Sequence, residues 1–291
     1  MSKKTIAGIV LYNPDRIRLE QNIKAIVGQV DEVVLYNNGI KKDINISRIL
    51  EKFDNVYIIG DGKNIGIAAA LNKLVQYAEK HGAEWILTLD QDSVCKSNLV
   101  EKYEKYVKNE NIGLITCTIT DRNFNYNLDE NETENKKYID NCITSGSYTN
   151  LKAWKDIGYF DEKMFIDSVD TDFCYRLRIN GWKILRISYQ GLLHEVGENT
   201  SRKRLLGKDF VVFNHSAFRC YYIVRNQIYF ARKHEKTLGK KKSLRLMRTS
   251  WTRIFVYLIY EKDKWNKLKA WVCGLIDGYR MSIKYHNAEK E

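Results

Sequence analysis

The stretch Trp85-Ile86-Leu87-Thr88-Leu89-Asp90-Gln91-Asp92-Ser93 sets a short apolar run directly against two carboxylates. Its first five residues read as a strand, so the aspartates stand at the carboxyl end of that strand. In extended chain, residues i and i+2 point to the same side, which aims Asp90 and Asp92 at one spot. Magnesium and manganese take oxygen ligands, and Mg²⁺ is commonly held by one or two carboxylates plus substrate phosphates. The pattern suits a divalent cation shared with a diphosphate, whose charge must be neutralised as the bond to it breaks. It also suits a plain helix start, with Asp92 or Ser93 capping a helix through 97–107.

Outward from this strand, residues 5–11, 32–36, 56–59 and 113–119 are further apolar runs separated by amphipathic stretches, the pattern of an α/β domain with a largely parallel sheet. Ile67, Ala70, Leu71, Leu74, Val75 and Ala78 fall on one face of a helix that Gly82 ends. Polar residues follow several strand ends: Tyr12-Asn13, Asn37-Asn38-Gly39, 61–66 and 90–93. In open α/β sheets the ligand crevice lies outside the carboxyl ends of the strands, so these segments are expected to line one site. Asn64 can cap the helix, and Gly66 lets backbone N–H groups approach a phosphate or sugar. Neither G-x-G-x-x-G nor G-x-x-x-x-G-K-[ST] occurs, so dehydrogenase and P-loop readings lack their fingerprints. The Asn-, Asp- and Glu-rich segment 121–137 reads as a surface loop, either a lid or a solvated insertion. A strand over 138–144, a Ser145-Gly146 turn and a helix over 151–157 are expected after it.

The next acidic cluster is Phe165-Ile166-Asp167-Ser168-Val169-Asp170-Thr171-Asp172. Phe173, Cys174 and Leu177 keep helical spacing, so Asp170 and Asp172 start a helix, where the dipole favours their charged forms. Two positions apart on a helix lie roughly opposite each other. One carboxylate is then free to face a cleft while the other caps the helix or pairs with Arg176. A transfer that inverts configuration needs a base beside the attacking hydroxyl, and Asp170 is the candidate. His194 ends another apolar strand and is either structural or a metal or diphosphate contact beside Asp92.

Taken in order, Tyr12-Asn13-Pro14, Asn37-Asn38-Gly39, Asn64-Ile65-Gly66, Asp90-Gln91-Asp92-Ser93, Ser145-Gly146, Phe165-Ile166-Asp167-x-x-Asp170-x-Asp172 and His194 resemble family 2 glycosyltransferases, in particular bacterial rhamnosyltransferases of O-antigen and capsule synthesis. The resemblance runs from about residue 5 to residue 197. It implies a GT-A fold, a nucleotide-sugar donor such as dTDP-L-rhamnose, Mg²⁺ or Mn²⁺, and inversion at the anomeric carbon. It implies nucleotide-sugar contacts from Tyr12, Asn13, Asn37, Asn64, Gly66, Asp90, Gln91, Ser145 and Gly146. Asp92, with His194, would meet the metal, and Asp170 would be the base. Asn37 stands where many relatives carry an Asp that reads the nucleobase, and Val169-Asp170 replaces a commoner Glu-Asp pair. The first departure leaves the donor base open, with a UDP-hexose as the alternative donor; the second keeps the assigned carboxylate.

The charge is unevenly spread. Residues 1–199 hold 26 Lys+Arg against 29 Asp+Glu, whereas residues 200–291 hold 22 against 7. This divides the 291 residues into a catalytic domain, 1–199, and a basic C-terminal region, 200–291, whose charge is interleaved with 15 aromatic residues. Basic and aromatic residues on amphipathic helices suit an anionic membrane surface, where a lipid-linked saccharide acceptor would be met. Helices packed on the catalytic domain are the plainer reading; no nucleic-acid module signature occurs. The longest uncharged run, 141–151, is far too short to cross a bilayer, and no small-residue cleavage site follows the first apolar run, so the chain is expected to be cytoplasmic and peripheral to the membrane. Six scattered cysteines without a C-x-x-C pair are expected to be reduced. A nucleotidyltransferase shares the sheet, metal and nucleotide, but the Gly-rich basic loop it would need after Leu11 is absent. A non-enzymatic sugar-binding scaffold at a membrane surface is the remaining alternative.

Overall fold

A computed structural model describes residues 4–41, 44, 46–121, 136–194, 201–205, 208–212 and 214–283. The chain divides into two compact units, Met1–Lys163 with Val169–Val196, and Met164–Ser168 with Gly197–Glu291.

The first unit contains strands β1 (Ile6–Leu11), β2 (Glu32–Asn37), β3 (Val56–Ile59), β4 (Trp85–Asp90), β5 (Val94–Cys95), β6 (Ile112–Asp121), β7 (Lys136–Tyr138), β8 (Ser147–Asn150) and β9 (Lys183–His194). Its helices are α1 (Arg16–Ile26), α2 (Ser47–Leu50), α3 (Ile67–Lys80), α4 (Leu99–Glu104), α5 (Leu151–Asp156) and α6 (Val169–Ile179). The strands form one sheet in the order β3-β2-β1-β4-β8-β6-β9-β5, with β7 on β9. From β3 to β4 all pairings are parallel, and β6 runs parallel to β9. Between them β8 lies antiparallel to both β4 and β6, so the sheet is mixed rather than largely parallel.

The apolar runs become strands because both sheet faces are covered, which favours near-continuous hydrophobic sequence. Ile9, Leu11, Leu35, Leu87 and Leu89 lie in one core with Leu19, Ile23 and Ile26 of α1. The expected apolar face of α3 is buried at Leu71, Leu74, Val75 and Ala78. Full burial of each larger side chain contributes about 1.5–3 kcal/mol. α3 comes close to β1 at Gly8, where an added Cβ would stand 3.0 Å from Leu74 Cδ1.

The strand expected over 138–144 is not formed beyond Tyr138. That segment instead folds back to the end of β4: Thr88 Oγ1 donates to the Thr144 carbonyl at 2.6 Å, and Gly146 N to the Thr88 carbonyl at 2.8 Å. The strand comes later, at β8, whose Ser-Tyr-Thr-Asn sequence carries no apolar alternation. It is buried because its polar groups are satisfied, Ser147 Oγ donating to the Ile143 carbonyl at 2.6 Å. Residues 122–135 of the expected surface loop lie outside the described residues.

The second unit comprises a hairpin, β10 (Ser201–Leu205) with β11 (Lys208–Val212), and helices α7 (Ala217–Lys233), α8 (Glu235–Leu238), α9 (Lys240–Tyr260) and α10 (Lys264–Arg280). Its core joins Cys220, Val224 and Ile228 of α7 to Ile254 and Tyr257 of α9 and Leu275 of α10. α10 meets α7 through Gly274 and Gly278, one turn apart; a Cβ there would lie 2.7 Å from the Tyr221 carbonyl and 2.8 Å from the Arg225 carbonyl. A buried ion pair, Lys267 Nζ to Glu261 Oε2 at 2.6 Å, is completed by Asn214 Oδ1 at 3.0 Å.

α7 also holds the segment 164–168. The Asn226 amide donates to the carbonyls of Met164, Ile166 and Asp167 at 2.6, 2.7 and 2.9 Å. Arg219 Nε and Nη2 both reach Asp167 Oδ1 at 3.1 Å, and the Phe165 ring stacks on Tyr222 with centroids 5.1 Å apart. These contacts hold three non-glycine residues, Phe165, Asp167 and Ser168, at positive φ, which such residues rarely adopt.

Candidate active site

Parallel register places the strand ends together. Leu11 pairs with Asn37 and Val10 with Asp90, so Tyr12, Asn37 and Asp90 emerge side by side from three neighbouring strands. Adjacent strands lie about 4.8 Å apart, which makes these ends one continuous sheet edge.

Gln91 ties two of them. Its Oε1 accepts from Tyr12 N at 2.8 Å and its Nε2 donates to the Tyr12 carbonyl at 3.1 Å, the pairing a neighbouring strand would give. The Tyr12 ring is half exposed. It lies against Gly39, where an added Cβ would stand 3.1 Å from the ring. Asn13, at φ +45°, donates its N–H to the Gly39 carbonyl at 3.0 Å. Asn37 Oδ1 accepts from Gly39 N at 3.2 Å and Ile40 N at 3.1 Å, so this side chain shapes its own turn.

Asn64 does not cap α3. Its Oδ1 accepts from Gly66 N at 3.0 Å, while the cap position is Gly66, at φ +84° and without a side-chain cap bond. The Asn38 Oδ1 accepts from Ile65 N at 2.8 Å, fastening this turn to the end of β2. The positive end of a 14-residue helix therefore opens beside the sheet edge with its first N–H groups uncapped by any side chain.

The aspartates stand half-exposed at the end of β4. Neither Asp92 nor Ser93 caps α4, whose cap position is Asn98. Asp90 is fixed through its backbone on two sides: Asn22 Nδ2 donates to its carbonyl at 2.6 Å, and its N–H donates to Ser145 Oγ at 2.9 Å. Ser145 Oγ also lies 2.8 Å from Ser93 Oγ. The Ser145 hydroxyl is thus buried and engaged in holding the Asp90–Ser93 turn in place. Gly146, at φ +73°, completes the bend where a Cβ would stand 2.9 Å from Leu192 Cδ2.

The two carboxylates of α6 separate. Asp172 is fully buried and accepts from Arg176 Nε at 2.7 Å; Arg176 Nη1 donates to the Ile157 carbonyl at 2.7 Å. Asp170 remains half-exposed, its Oδ1 accepting from Thr171 N at 2.9 Å. It lies close enough to the 139–146 segment to act on Cys142. Contact with the Cys174 thiol, 3.8 Å away, and burial push the Cys142 thiol well up, and the Asp170 charge adds to this. Both cysteines are free thiols, as are Cys95, Cys117, Cys220 and Cys273. His194 closes β9, and the preceding Leu193 pairs with Val94, two residues after Asp92; the His194 side chain lies outside the described residues.

Two half-exposed carboxylates two residues apart are a fitting donor set for Mg²⁺ or Mn²⁺ that takes its other oxygens from phosphate. Among the described residues no group of three or more His, Cys, Asp and Glu side chains is assembled as a protein-only metal cage.

Sequence reasoning passed over Asn22 and Asn72. Both are buried polar residues on otherwise apolar helix faces, and that mismatch was the available signal. Asn72 accepts from Trp154 Nε1 at 3.1 Å and Phe160 N at 2.9 Å and donates to Glu162 Oε1 at 2.8 Å, tying α3 to the segment that follows α5.

The family model for glycosyl transferase family 2 matches residues 7–175. The chain is 28% identical over 294 residues to the dTDP-rhamnosyl transferase RfbF of Shigella flexneri, covering 96% of this chain and 97% of that one. Among solved structures it is similar to S. aureus TarS 1–349 in complex with UDP-GlcNAc, with TM-score 0.61, 14% identity, and 94% and 81% of the two chains covered. It is also similar to GalNAc-T7 with UDP, GalNAc and Mn²⁺, with TM-score 0.58, 13% identity, and 84% and 54% covered. At these identities the two structures speak for the fold alone, and that fold is the expected GT-A α/β fold with a C-terminal helical region.

Proposed function

The chain belongs to glycosyl transferase family 2, and on that premise we propose that it moves L-rhamnose from dTDP-L-rhamnose to a lipid-linked saccharide acceptor in surface polysaccharide synthesis, such as that of O-antigen or capsule. The observation that carries this reading is the placement of Asp90-Gln91-Asp92 at the end of β4, bonded to Tyr12 and supported by Ser145 and Asn22. The likeness to a dTDP-rhamnosyl transferase along nearly the whole chain supports the donor.

In this reading Tyr12, Asn13 and Asn37 border the base and ribose, Asp90 and Gln91 the ribose and diphosphate, and Asn64 and Gly66 bring the positive end of α3 toward the donor. Ser145 and Gly146 contribute by fixing Asp90. Asp92, with His194 beside it along the sheet edge, would hold Mg²⁺ or Mn²⁺, which supplies charge neutralisation for the departing diphosphate. Asp170 takes the proton from the acceptor hydroxyl as that oxygen attacks the anomeric carbon. The new bond forms on the face opposite the leaving diphosphate, so configuration inverts. Residues 1–199 do this chemistry, and residues 200–291 serve the acceptor side at a membrane surface. No described helix is long and apolar enough to cross a membrane.

The test is release of nucleotide diphosphate from a panel containing dTDP-L-rhamnose and UDP-hexoses, with Mg²⁺ or Mn²⁺ and a lipid-linked acceptor. Turnover of dTDP-L-rhamnose, lost on chelation and in Asp92→Ala and Asp170→Ala, is expected. A UDP-hexose as the preferred donor would replace rhamnose in the reading. Full turnover in Asp170→Ala would remove that residue as base, and no turnover with any donor would end the proposal.

A further inference from the structure

α9 and α10 each carry a second apolar face that the core does not use. On α9, Leu244, Trp251, Phe255 and Leu258 follow one another at steps of seven, four and three residues; on α10, Trp265, Val272, Ile276 and Tyr279 repeat the same steps. With 3.6 residues per turn each set forms a single stripe. Both stripes are exposed, Trp265 at 77%, Phe255 at 62% and Trp251 at 48% of their surface. The stripes adjoin, since Trp251 Nε1 donates to Tyr279 Oη at 3.5 Å and the Trp251 ring stands edge-on to Trp271 with centroids 5.4 Å apart. They form one aromatic surface rather than scattered side chains.

The charge beside these stripes is mostly positive. Lys240, Lys241, Arg245 and Arg248 are exposed on the first half of α9, and Lys269 and Arg280 lie along the α10 stripe. Nearby acids are few: Glu261 is buried against Lys267, Asp277 accepts from Tyr221 Oη at 2.7 Å, and Asp263, exposed ahead of Trp265, accepts from Asn266 Nδ2 at 2.7 Å and lies between Lys262 and Lys264.

We propose that this surface docks the second unit on an anionic lipid bilayer, with Trp251, Phe255 and Trp265 entering the interfacial layer and the flanking Lys and Arg meeting lipid headgroup phosphates. Charge selects this occupant. Residues 200–291 hold 22 Lys+Arg against 7 Asp+Glu, so a second copy would bring like charge to like, whereas an anionic surface complements it. Apolar aromatic rings amid basic residues match the layered chemistry of a membrane interface. The proposal deepens the reading of the acceptor as lipid-linked and rests on it for its purpose, but its test needs neither donor nor metal.

The full chain is floated with vesicles of phosphatidylcholine plus phosphatidylglycerol and, in parallel, of phosphatidylcholine alone. Binding to the anionic vesicles only, weakening as salt rises, is expected. It should fall by about tenfold or more in Phe255→Ser/Trp265→Ser and in Lys240→Gln/Lys241→Gln/Arg245→Gln. All five positions are exposed, and circular dichroism with the thermal midpoint verifies that both variants keep the wild-type fold. Absence of binding to anionic vesicles, or equal binding by the variants, would overturn the proposal. So would a dimer by light scattering that the Phe255→Ser/Trp265→Ser change dissolves, because the stripe would then be a protein interface. Vesicle binding lost while nucleotide diphosphate release persists would leave the transferase reading standing.

Discussion

Gln91 pairs with the backbone of Tyr12 through both atoms of its amide, at 2.8 and 3.1 Å, and so extends the β1–β4 register one step past the end of the strands. The middle residue of Asp90-Gln91-Asp92 thus has a job its flanking carboxylates cannot perform, because an ionised carboxylate accepts but does not donate. Gln91→Glu keeps the shape, loses the bond to the Tyr12 carbonyl and adds a third negative charge at the proposed diphosphate site. The Kd for dTDP-L-rhamnose, measured by calorimetry with Mn²⁺ present, is expected to rise about tenfold, the equivalent of one lost hydrogen bond of about 1.4 kcal/mol. The thermal midpoint should move little.

Asp170 and Asp172 are chemically identical and two residues apart, yet their substitutions should fail in different ways. Asp172 is buried in an ion pair with Arg176, so Asp172→Ala strands a buried guanidinium and is expected to destabilise the fold by about 3–5 kcal/mol in urea titration. Asp170→Asn removes the proposed base without disturbing that pair. Its kcat should fall by about 10²–10⁴, with the donor Kd and unfolding midpoint close to wild type.

How much of this was legible in the sequence depends on whether a residue's task is local. Period and strand-end chemistry marked α3, β4 and the polar edge, because each is decided within a dozen residues. The division of labour at the start of α6 was visible as an alternative, since helical spacing allows only one of two carboxylates to face a given direction; which one took Arg176 required the fold. Long-range tasks were hidden. Ser145 reads as a turn residue, and nothing near it in sequence announces a bond to Asp90, 55 positions earlier. β8 carries no alternation to read, and its Tyr148 hydroxyl donates to Glu104, 44 positions away. Asn226 reads as one more polar residue in a basic helix, although its amide fixes three carbonyls of the segment 164–168. Gly274-x-x-x-Gly278 also passed unread, and its role in close helix approach came from the fold.

That approach gives a direct test of the second unit. A Cβ at Gly278 would stand 2.8 Å from both the Arg225 carbonyl and Ile228 Cβ, and backbone cannot yield as a flexible side chain does. Gly278→Val should therefore push α10 off α7, costing about 1–3 kcal/mol as an overpacked contact. The change is expected as faster hydrogen exchange in α7 and α10, with exchange in the β1–β4 strands unaltered.

His215 provides a pH test of the same unit. Burial is the main cause, and the positive charges of Arg219, Arg253 and Lys267 add to it, in lowering its pKa from 6.5 to about 4. The folded imidazole therefore stays neutral where the unfolded one takes a proton. Stability from this group is fully present above about pH 6.5, declines as pH falls toward about 4, and levels off below that, since over this window only the unfolded state gains the proton. His215→Asn removes the titration. Its unfolding free energy, measured by urea denaturation from pH 7.5 down to pH 4, should fall less steeply than that of the wild type. The difference between the two curves isolates this imidazole from the carboxylates that titrate beneath it. Parallel curves across the window would show that the folded imidazole takes up its proton as readily as the unfolded one.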